Sequence, residues 1–414
     1  MIRALTGAGF VSVLLVVLWA AHAGNSQTPS IAIHEIDSPA GSPSGEPNLA
    51  TDPSGRIYLT WIEKKGEKAH ALRFAVLTGN SWSQPKTIVE AENLVVNWAD
   101  FPSIAPLTEA VLVAHWLVKS SPDGHAYDIN IARSTDGGRT WSKPITPHTD
   151  GTKTEHGFVA ILPGGNGRTA AIWLDGRNFN DTKNGGHGVS ANEMTLRFAA
   201  IDPAGKVSEG TVLDPRVCDC CQTSAAPTSE GPIVVYRDRS EREIRDISII
   251  RFNNGRWTEP RTLSADGWEI QGCPVNGPSV SADGRQVAVA WFTAAKQTPR
   301  VNLVFSSDAG ATFGQPIQVD EGNPMGRVDV QMLSDRSALV SWLERTASGA
   351  EVKVRRIKPA GIRDETVTVA TSSAARTSGF PQMARGGDRI VFAWTDPRTS
   401  RVRTASARWS RKDE

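Results

Sequence analysis

The chain has 414 residues, and its 45 lysine and arginine side chains nearly balance its 44 aspartate and glutamate side chains. This balance argues against a nucleic-acid partner and against attraction to a membrane surface, since both favour a basic surface. The 13 tryptophans, 37 glycines and 25 prolines, without any long helical periodicity, favour an all-β repeat fold, which often exceeds the usual domain size.

The N-terminus has the pattern of a signal peptide. Arg3 supplies a positive charge, an apolar run follows it, and Ala21 and Ala23 form the small-x-small pattern of a cleavage site. The apolar run is short for a spanning helix, and no later segment is apolar enough to span a bilayer. We therefore predict a signal peptide over residues 1–23 and one exported domain over residues 24–414. We expect a monomer in the periplasm or outside the cell, without a membrane span after cleavage.

An aromatic residue recurs near the end of a β-branched run at intervals of 51 to 63 residues. The seven positions are Trp61, Trp116, Trp173, Tyr236, Trp291, Trp342 and Trp394. Another short strand precedes each of them, and a loop, a third strand and in several cases an aromatic-x-x-Pro end follow. Four strands per unit at this period predict the blades of a β-propeller.

We count seven such units, which begin near residues 46, 100, 156, 222, 276, 326 and 379. The predicted fold is therefore a seven-bladed β-propeller with four-stranded antiparallel blades, with six or eight blades as alternatives. The last unit lacks its outer strand, and Ile31 to Ile36 can supply it by pairing with the strand around Val402 to Trp409. Such closure removes the exposed sheet edges. Two separate β-sandwiches are a further alternative, but the regular spacing without a linker argues against them.

Two turns between third and fourth strands carry one motif, at Ser134–Trp141 and Ser306–Phe313. Both match the Asp box, S-x-D-x-G-x-T-W/F, of bacterial-neuraminidase-type repeats, so the chain resembles the sialidase-like β-propeller superfamily. The Asp carboxylate can accept amide hydrogens of its own turn, and the Gly can take a positive φ. The resemblance implies that the box is structural and lies away from the active face. Asp136 and Asp308 are therefore poor catalytic candidates.

The resemblance does not extend to the sialidase catalytic residues. Sialidases use three arginines on the substrate carboxylate, a tyrosine nucleophile paired with a glutamate, and an aspartic acid/base, and they have six blades. Here Gly45-Glu46-Pro47 stands in place of the Phe/Tyr-Arg-Ile/Leu-Pro motif, and Arg327 is the one arginine at the start of an inner strand. Tyr236 fills the repeating aromatic position, so we expect it to pack. We do not expect sialidase chemistry.

The face opposite the Asp boxes carries the reactive residues. Cys218, Cys220 and Cys221 precede the inner strand of blade four, and Cys273 precedes that of blade five. His156 and Met325 hold the corresponding positions of blades three and six, and His125 and His187 lie in loops on the same face. Because these starts surround the ring axis, we expect the sulfur of Cys273 to approach at least one of the other three cysteines.

Three interpretations of the cysteines remain open. An even number in an exported protein favours disulfides, with Cys273 bonded to the cluster and the two remaining cysteines paired over a very short loop. A vicinal Cys220–Cys221 bridge is one form of that pairing, and such geometry suits a redox or ligand-gating role. Alternatively, the thiolates bind a soft metal, copper or zinc, together with His156 or Met325. In the third interpretation the cysteines only stabilise the fold. Our main hypothesis is that this face binds a ligand. The most specific version of the hypothesis is that the cysteines bind a copper-type metal or form a redox-active thiol pair.

Carboxylates and arginines form a rim on the same face, where the second strands end. The rim contains Glu63, Asp175 with Arg177, Asp238 with Arg237 and Arg239, Glu344 with Arg345, and Asp396 with Arg398. These residues can be salt bridges between blades, or they can bind a sugar or an acidic ligand, for which the candidates are Arg177, Arg239, Glu344 and Arg398. The alternative function is therefore glycan binding or glycan hydrolysis. Asp175, Asp238 and Arg327 are its catalytic candidates, and the separation of the carboxylates decides the mechanism.

Overall fold

The computed structural model describes residues 31–122, 126–179 and 193–409. The predicted signal peptide and two of the histidines singled out above, His125 and His187, lie outside these residues. Within the described ranges, no helix is long and apolar enough to cross a membrane.

Seven antiparallel blades follow one another around a ring. After β1 (His34–Ile36), blade one contains β2 (Ser44–Thr51), β3 (Ile57–Lys65) and β4 (Ala69–Thr78), with β5 (Ser81–Trp82) and β6 (Lys86–Ala91) both paired to β4. Blade two contains β7 (Ser103–Pro106), β8 (Leu112–Lys119) and β9 (Tyr127–Ser134), and blade three β10 (His156–Pro163), β11 (Thr169–Asp175), β12 (Met194–Ile201) and β13 (Thr211–Val217). Blade four contains β14 (Ser224–Thr228), β15 (Gly231–Arg237), β16 (Ile247–Asn253), β17 (Arg256–Trp257) and β18 (Arg261–Ser264).

Blade five contains β19 (Ser279–Asp283), β20 (Gln286–Thr293), β21 (Arg300–Ser306) and β22 (Ile317–Gln318). Blade six contains β23 (Pro324–Met332), β24 (Ala338–Thr346), β25 (Gly349–Ile357) and β26 (Val367–Ser372), and blade seven β27 (Gln382–Gly386), β28 (Arg389–Asp396) and β29 (Arg401–Arg408). The helical segments of the described residues are three single 3-10 turns, Gly165–Gly167, Ala295–Gln297 and Arg376–Ser378.

The ring is closed by the N-terminal strand. β1 pairs antiparallel with β29, with His34 opposite Ser406 and Ile36 opposite Thr404. The prediction that this segment completes the last blade is confirmed, and so is the count of seven blades. In blade two, a single β-bridge between Ile131 and Ile145 takes the place of a fourth strand.

The core consists of apolar layers between neighbouring blades. The recurring tryptophans are buried in it as predicted: Trp61, Trp116, Trp173, Trp291, Trp342 and Trp394 are all at most 5% exposed. Three of their indole nitrogens donate to a carboxylate two residues further on: Trp61 to Glu63, Trp173 to Asp175 and Trp342 to Glu344. Several rim carboxylates therefore accept the indole hydrogen bonds of buried tryptophans.

The two Asp boxes form the local turns that the motif predicts. Asp136 accepts hydrogen bonds from the amides of Arg139 and Thr140 at 2.9 Å and from the Thr140 hydroxyl at 2.7 Å. Asp308 accepts the amide and hydroxyl of Thr312 at 2.8 and 2.6 Å. These contacts all lie within the turn, which confirms the local structural role.

Candidate functional site

A central channel runs along the ring axis. Its cavity of about 320 Å³ is lined by residues of the inner strands, or of the turns just before them, in all seven blades. Phe101, Gln222, Gly277 and Phe380 line it where those strands begin. The channel therefore opens on the face on which the sequence places the reactive residues.

The backbone is strained at three of these inner-strand starts. Glu46, Phe158 and Arg327 have φ values of 51°, 53° and 54°, and each lies at a register shift between the first and second strands of its blade. Non-glycine residues rarely adopt this left-handed conformation, which costs about 1–3 kcal/mol and is concentrated at functional sites. Each of the three follows a glycine. The same strained bulge thus recurs at the inner-strand starts of blades one, three and six.

A side chain from the preceding blade holds two of these bulges. Asp100 Oδ1 accepts the amide hydrogen of Phe158 at 2.8 Å, and Asn276 Oδ1 accepts that of Arg327 at 2.7 Å. Gly326 lies so close to Asn276 that a Cβ there would be 2.2 Å from its Oδ1. An asparagine thus suffices for the structural contact, and the second oxygen of Asp100 is free for another contact.

That second oxygen belongs to a cluster of two carboxyl groups around one phenol. The Tyr127 hydroxyl lies 3.1 Å from Asp100 Oδ2 and 2.5 Å from Glu155 Oε1. A phenol donates a single hydrogen, so one of the two carboxyl groups must carry a proton if both contacts are hydrogen bonds. Burial raises the pKa of both Asp100 and Glu155, and it raises the pKa of Tyr127 well above its usual value. The three groups therefore favour a neutral phenol with a proton shared among the carboxyls.

Aromatic and charged side chains pack next to Phe380, which lines the mouth of the channel. The rings of Trp98 and Phe380 stack with centroids 5.8 Å apart, and the Arg327 guanidinium lies 4.8 Å from the Trp98 ring. Arg376 lies 5.9 Å from the same ring, and burial together with this second cation lowers the pKa of Arg327 to about 10. Burial raises the pKa of Glu46 to about 7. Such a mixture of aromatic rings and a few polar groups is typical of a ligand site.

A second polar cluster lies between blades two and three. The His156 ring is fully buried, and its Nε2 lies 3.2 Å from Asp150 Oδ2 and 3.9 Å from Asp175 Oδ1. His148 stacks on it with ring centroids 3.8 Å apart, and burial lowers the pKa of His148 to about 4. Arg177 donates to Asp175 at 2.7 Å and lies 3.1 Å from Asp150.

The four cysteines converge on one another, as predicted, and form two disulfides. Cys218 pairs with Cys221 and Cys220 with Cys273, with Cα–Cα distances of 5.8 and 6.2 Å that lie within the usual range for disulfides. The two cysteines left after Cys273 pairs with the cluster do bond over a very short loop, but they are Cys218 and Cys221 and not the vicinal Cys220 and Cys221, because Cys220 is bonded to Cys273. The disulfides leave no free thiolate among the described cysteines. A metal on these sulfurs requires their reduction, so copper or zinc at this place stays a prediction.

The two other residues predicted as soft ligands pack elsewhere. Met325 packs against the core between blades six and seven, and His156 belongs to the cluster with Asp150 and Asp175. The cysteines pack in another core cluster, which also contains Phe158 and Phe380. The disulfides thus lie under the mouth of the channel.

The remaining predicted site residues differ in exposure and partners. Arg239 is buried, donating to Glu243 at 2.9 Å and to Asp219 at 3.0 Å. Asp238 accepts the Arg239 amide, and burial raises its pKa to about 6. Both residues are therefore held by neighbours within blade four.

Three candidates remain on the rim. Glu344 accepts the indole hydrogen of Trp342 at 2.7 Å, and Arg398 donates to Asp396 at 3.2 Å with 73% of its side chain exposed. Arg177 is partly exposed beside Asp175, whose carboxylate is fully buried. The structure does not bring these residues together, because they belong to blades six, seven and three.

The residues that sequence reasoning missed are Asp100, Tyr127, Glu155 and Asp150. Asp100 precedes Phe101 and Glu155 precedes His156, so both stand at the inner-strand starts of blades two and three. The repeated Gly-x-Pro/Val pattern, as in Gly45-Glu46-Pro47 and Gly157-Phe158-Val159, marks the start next to Glu155, whereas the stretch around Asp100 lacks it. Asp150 and Tyr127 carried no comparable signal, because their contacts form only between blades.

No protein-family model matches the sequence, and no match was found among curated proteins. Among solved structures, a protein of unknown function from Dyadobacter fermentans is 15% identical, with 92% of this chain and 100% of that chain covered and a TM-score of 0.54. A PL25 ulvan lyase solved with -[GlcA(1-4)Rha3S]- bound is 11% identical, covering 90% and 95% of the two chains with a TM-score of 0.52. The Hadza microbial sialidase Hz136 is 12% identical, covering 82% and 74% with a TM-score of 0.49. At these identities the first two similarities show a shared fold.

Proposed function

We propose that this propeller binds a glycan at the axial mouth of the channel. The observation that carries the proposal is the combination of Phe101, Phe380 and Gln222 at one opening, with Trp98 stacked on Phe380 and Arg327 over the Trp98 ring. Aromatic rings offer flat apolar surfaces to sugar rings, and the few polar groups can orient hydroxyl or acidic substituents. The ulvan lyase, which has the same fold, was solved with a polysaccharide fragment bound, so this fold is able to present a glycan site.

Binding is tested with a glycan array followed by calorimetry on the best-bound oligosaccharide. Replacement Trp98→Ala removes the ring on which Arg327 and Phe380 stack, so we expect affinity to fall by about 10-fold or more. Trp82→Ala is the matched control, because Trp82 is also half-buried but lies on a short outer strand of blade one. Equal affinity of Trp98→Ala and wild type, or no glycan bound by the wild type, contradicts the proposal.

Cleavage of the bound glycan is a second candidate function, favoured by the carboxyl–phenol–carboxyl cluster. Asp100 and Tyr127 are 3% and 4% exposed, whereas Glu155 is half-buried and reaches the surface. Glu155 is therefore the group that can exchange a proton with a sugar, and Asp100 and Tyr127 are positioning residues behind it. General acid catalysis of this type usually contributes about 10²–10⁴-fold.

The variants Glu155→Gln and Asp100→Asn test cleavage on the oligosaccharide that binds best. Asp100→Asn should fold, since Asn276 makes the same contact in blade five, yet we expect both variants to lose about 100-fold or more in kcat. Tyr236→Phe is the control, because Tyr236 makes a similar buried contact of 2.5 Å with Asp214 in a different blade pair. Wild-type rates in both variants, or an equal loss in Tyr236→Phe, contradict a role in cleavage and leave the binding proposal standing.

A further inference from the structure

The buried polar cluster between blades two and three contains nitrogen and oxygen atoms that make no hydrogen bond. Within the described part of the chain, His156 Nε2 and Asp150 Oδ2 are buried and make no hydrogen bond. They lie 3.2 Å apart, but without the geometry of a hydrogen bond. Buried polar atoms are otherwise almost always paired, because an unpaired one costs about 1–3 kcal/mol.

The orientation of His156 directs a nitrogen lone pair at the two carboxylates. Its Nδ1 lies 3.3 Å from the carbonyl oxygen of Tyr127, to which it donates. A single ring hydrogen placed on Nδ1 for this contact leaves Nε2 with a free lone pair. Asp150 Oδ2 and Asp175 Oδ1 lie 3.2 and 3.9 Å from that nitrogen. Lone pairs on three such neighbours repel one another, and the Arg177 guanidinium, which lies 2.7 Å from Asp175 Oδ1 and 3.1 Å from Asp150 Oδ2, offsets part of that repulsion.

The other oxygens of the two carboxylates are already occupied. Asp150 Oδ1 accepts the amide of Thr152 at 3.0 Å, and Asp175 Oδ2 accepts the Trp173 indole hydrogen at 2.8 Å. His148 stacks on His156 and fixes the plane of the ring. Such outer contacts orient metal ligands in known sites. They hold Asp150 Oδ2 and Asp175 Oδ1 toward His156, and Asp175 Oδ1 also accepts hydrogen bonds from the amide and Nε of Arg177.

We propose that Asp150, His156 and Asp175 bind a divalent transition ion of the zinc type. Donors that share a tetrahedral ion through bonds of about 2.0–2.2 Å lie about 3.3–3.6 Å apart. The distance of 3.2 Å from His156 Nε2 to Asp150 Oδ2 is close to this spacing, and the distance of 3.9 Å to Asp175 Oδ1 is a few tenths of an ångström longer. One imidazole and two carboxylates suit such an ion, whereas a soft ion such as Cu(I) prefers sulfur. The site is separate from the cysteines and does not depend on the proposed glycan function.

Arg177 makes the proposal sharply testable. Its guanidinium contacts Asp175 Oδ1 at 2.7 Å and Asp150 Oδ2 at 3.1 Å, which are the two oxygens that the ion would use. The cation of Arg177 and the metal ion therefore compete for the same atoms. Removing the guanidinium should strengthen metal binding, whereas a cluster built only of ion pairs would simply become less stable.

The experiment is zinc titration of the oxidised, chelator-treated full chain by calorimetry, with metal content measured after dialysis. We expect one zinc ion in the wild type, about 100-fold weaker binding in both His156→Gln and Asp150→Asn, and tighter binding in Arg177→Gln. His34→Gln, at an exposed histidine, should bind as the wild type does. Circular dichroism establishes whether each variant folds. Two ligand variants are made so that the test remains possible if one of them does not fold. Absence of zinc from both the wild type and Arg177→Gln, or wild-type affinity in His156→Gln and Asp150→Asn, overturns the proposal.

Discussion

Repetition within the chain separates structural from chemical roles at individual residues. Asn276 and Asp100 hold the same kind of strained bulge in blades five and two, each by accepting one amide hydrogen. The asparagine performs this task without a charge. The carboxylate of Asp100 additionally contacts Tyr127, which in turn contacts Glu155. The carboxyl group of Asp100, which Asn276 lacks, is therefore not required by the fold.

The close packing of this cluster depends on a glycine. A Cβ at Gly157 would lie 2.1 Å from Asp100 Oδ2 and 2.7 Å from the Tyr127 ring. We expect Gly157→Ala to lower the free energy of unfolding by about 1–3 kcal/mol, as overpacking usually does. Gly165→Ala is the control, because a Cβ there meets nothing within 4 Å. Urea denaturation measures both, and equal stabilities of the two variants would show that the cluster is packed more loosely.

Within the blades, the pairing of a tryptophan with a carboxylate two residues later joins the second strand to its surroundings. Glu63 accepts hydrogen bonds from Trp61 and from the Gly41 amide at 3.1 and 3.0 Å, and it contacts Lys65 and Arg73 at 2.8 and 3.1 Å. Burial by itself would raise the pKa of Glu63, but these hydrogen bonds and cations outweigh it and lower the pKa to about 2. The carboxylate therefore stabilises the blade in its charged form.

The stability of the protein should depend on pH through this residue. A carboxyl whose pKa is lower in the folded state contributes stability above its unfolded pKa, and this is lost as the pH falls toward the folded value. Between pH 7 and pH 3 we expect wild type to lose about 2 kcal/mol more than Glu63→Gln. Urea denaturation at the two pH values measures this, with the exposed Glu67→Gln as control. Parallel losses in wild type and Glu63→Gln would show that Glu63 is not held by these contacts.

Over the whole molecule, the parts that could be predicted from sequence are those that recur along the chain. The tryptophan period, the Asp boxes and the unpaired segment before residue 37 predicted seven blades and their closure. The cysteines were predicted to converge because neighbouring inner strands start close to one axis. The disulfide pairing was not predictable, because Cys220 and Cys221 are adjacent and only backbone direction decides which faces Cys273.

The chemistry between blades was largely hidden in the sequence for the same reason. Tyr127 meets Asp100 and Glu155 across 27 and 28 residues, and no local pattern records such contacts. The predicted rim residues were recognisable as charged pairs, but several of them satisfy buried tryptophans or neighbouring charges instead. A repeat therefore reveals its shared scaffold more readily than the residues by which one blade differs from the others.

The central claim, that the axial mouth is the glycan site, is tested most directly by a crystal structure with the best-bound oligosaccharide. The account predicts ordered sugar over the channel opening, in contact with Trp98 or Phe101 and within hydrogen-bond reach of Glu155. Sugar ordered instead in the groove beside Trp394 and Arg398, or on the face of the Asp boxes, would contradict it.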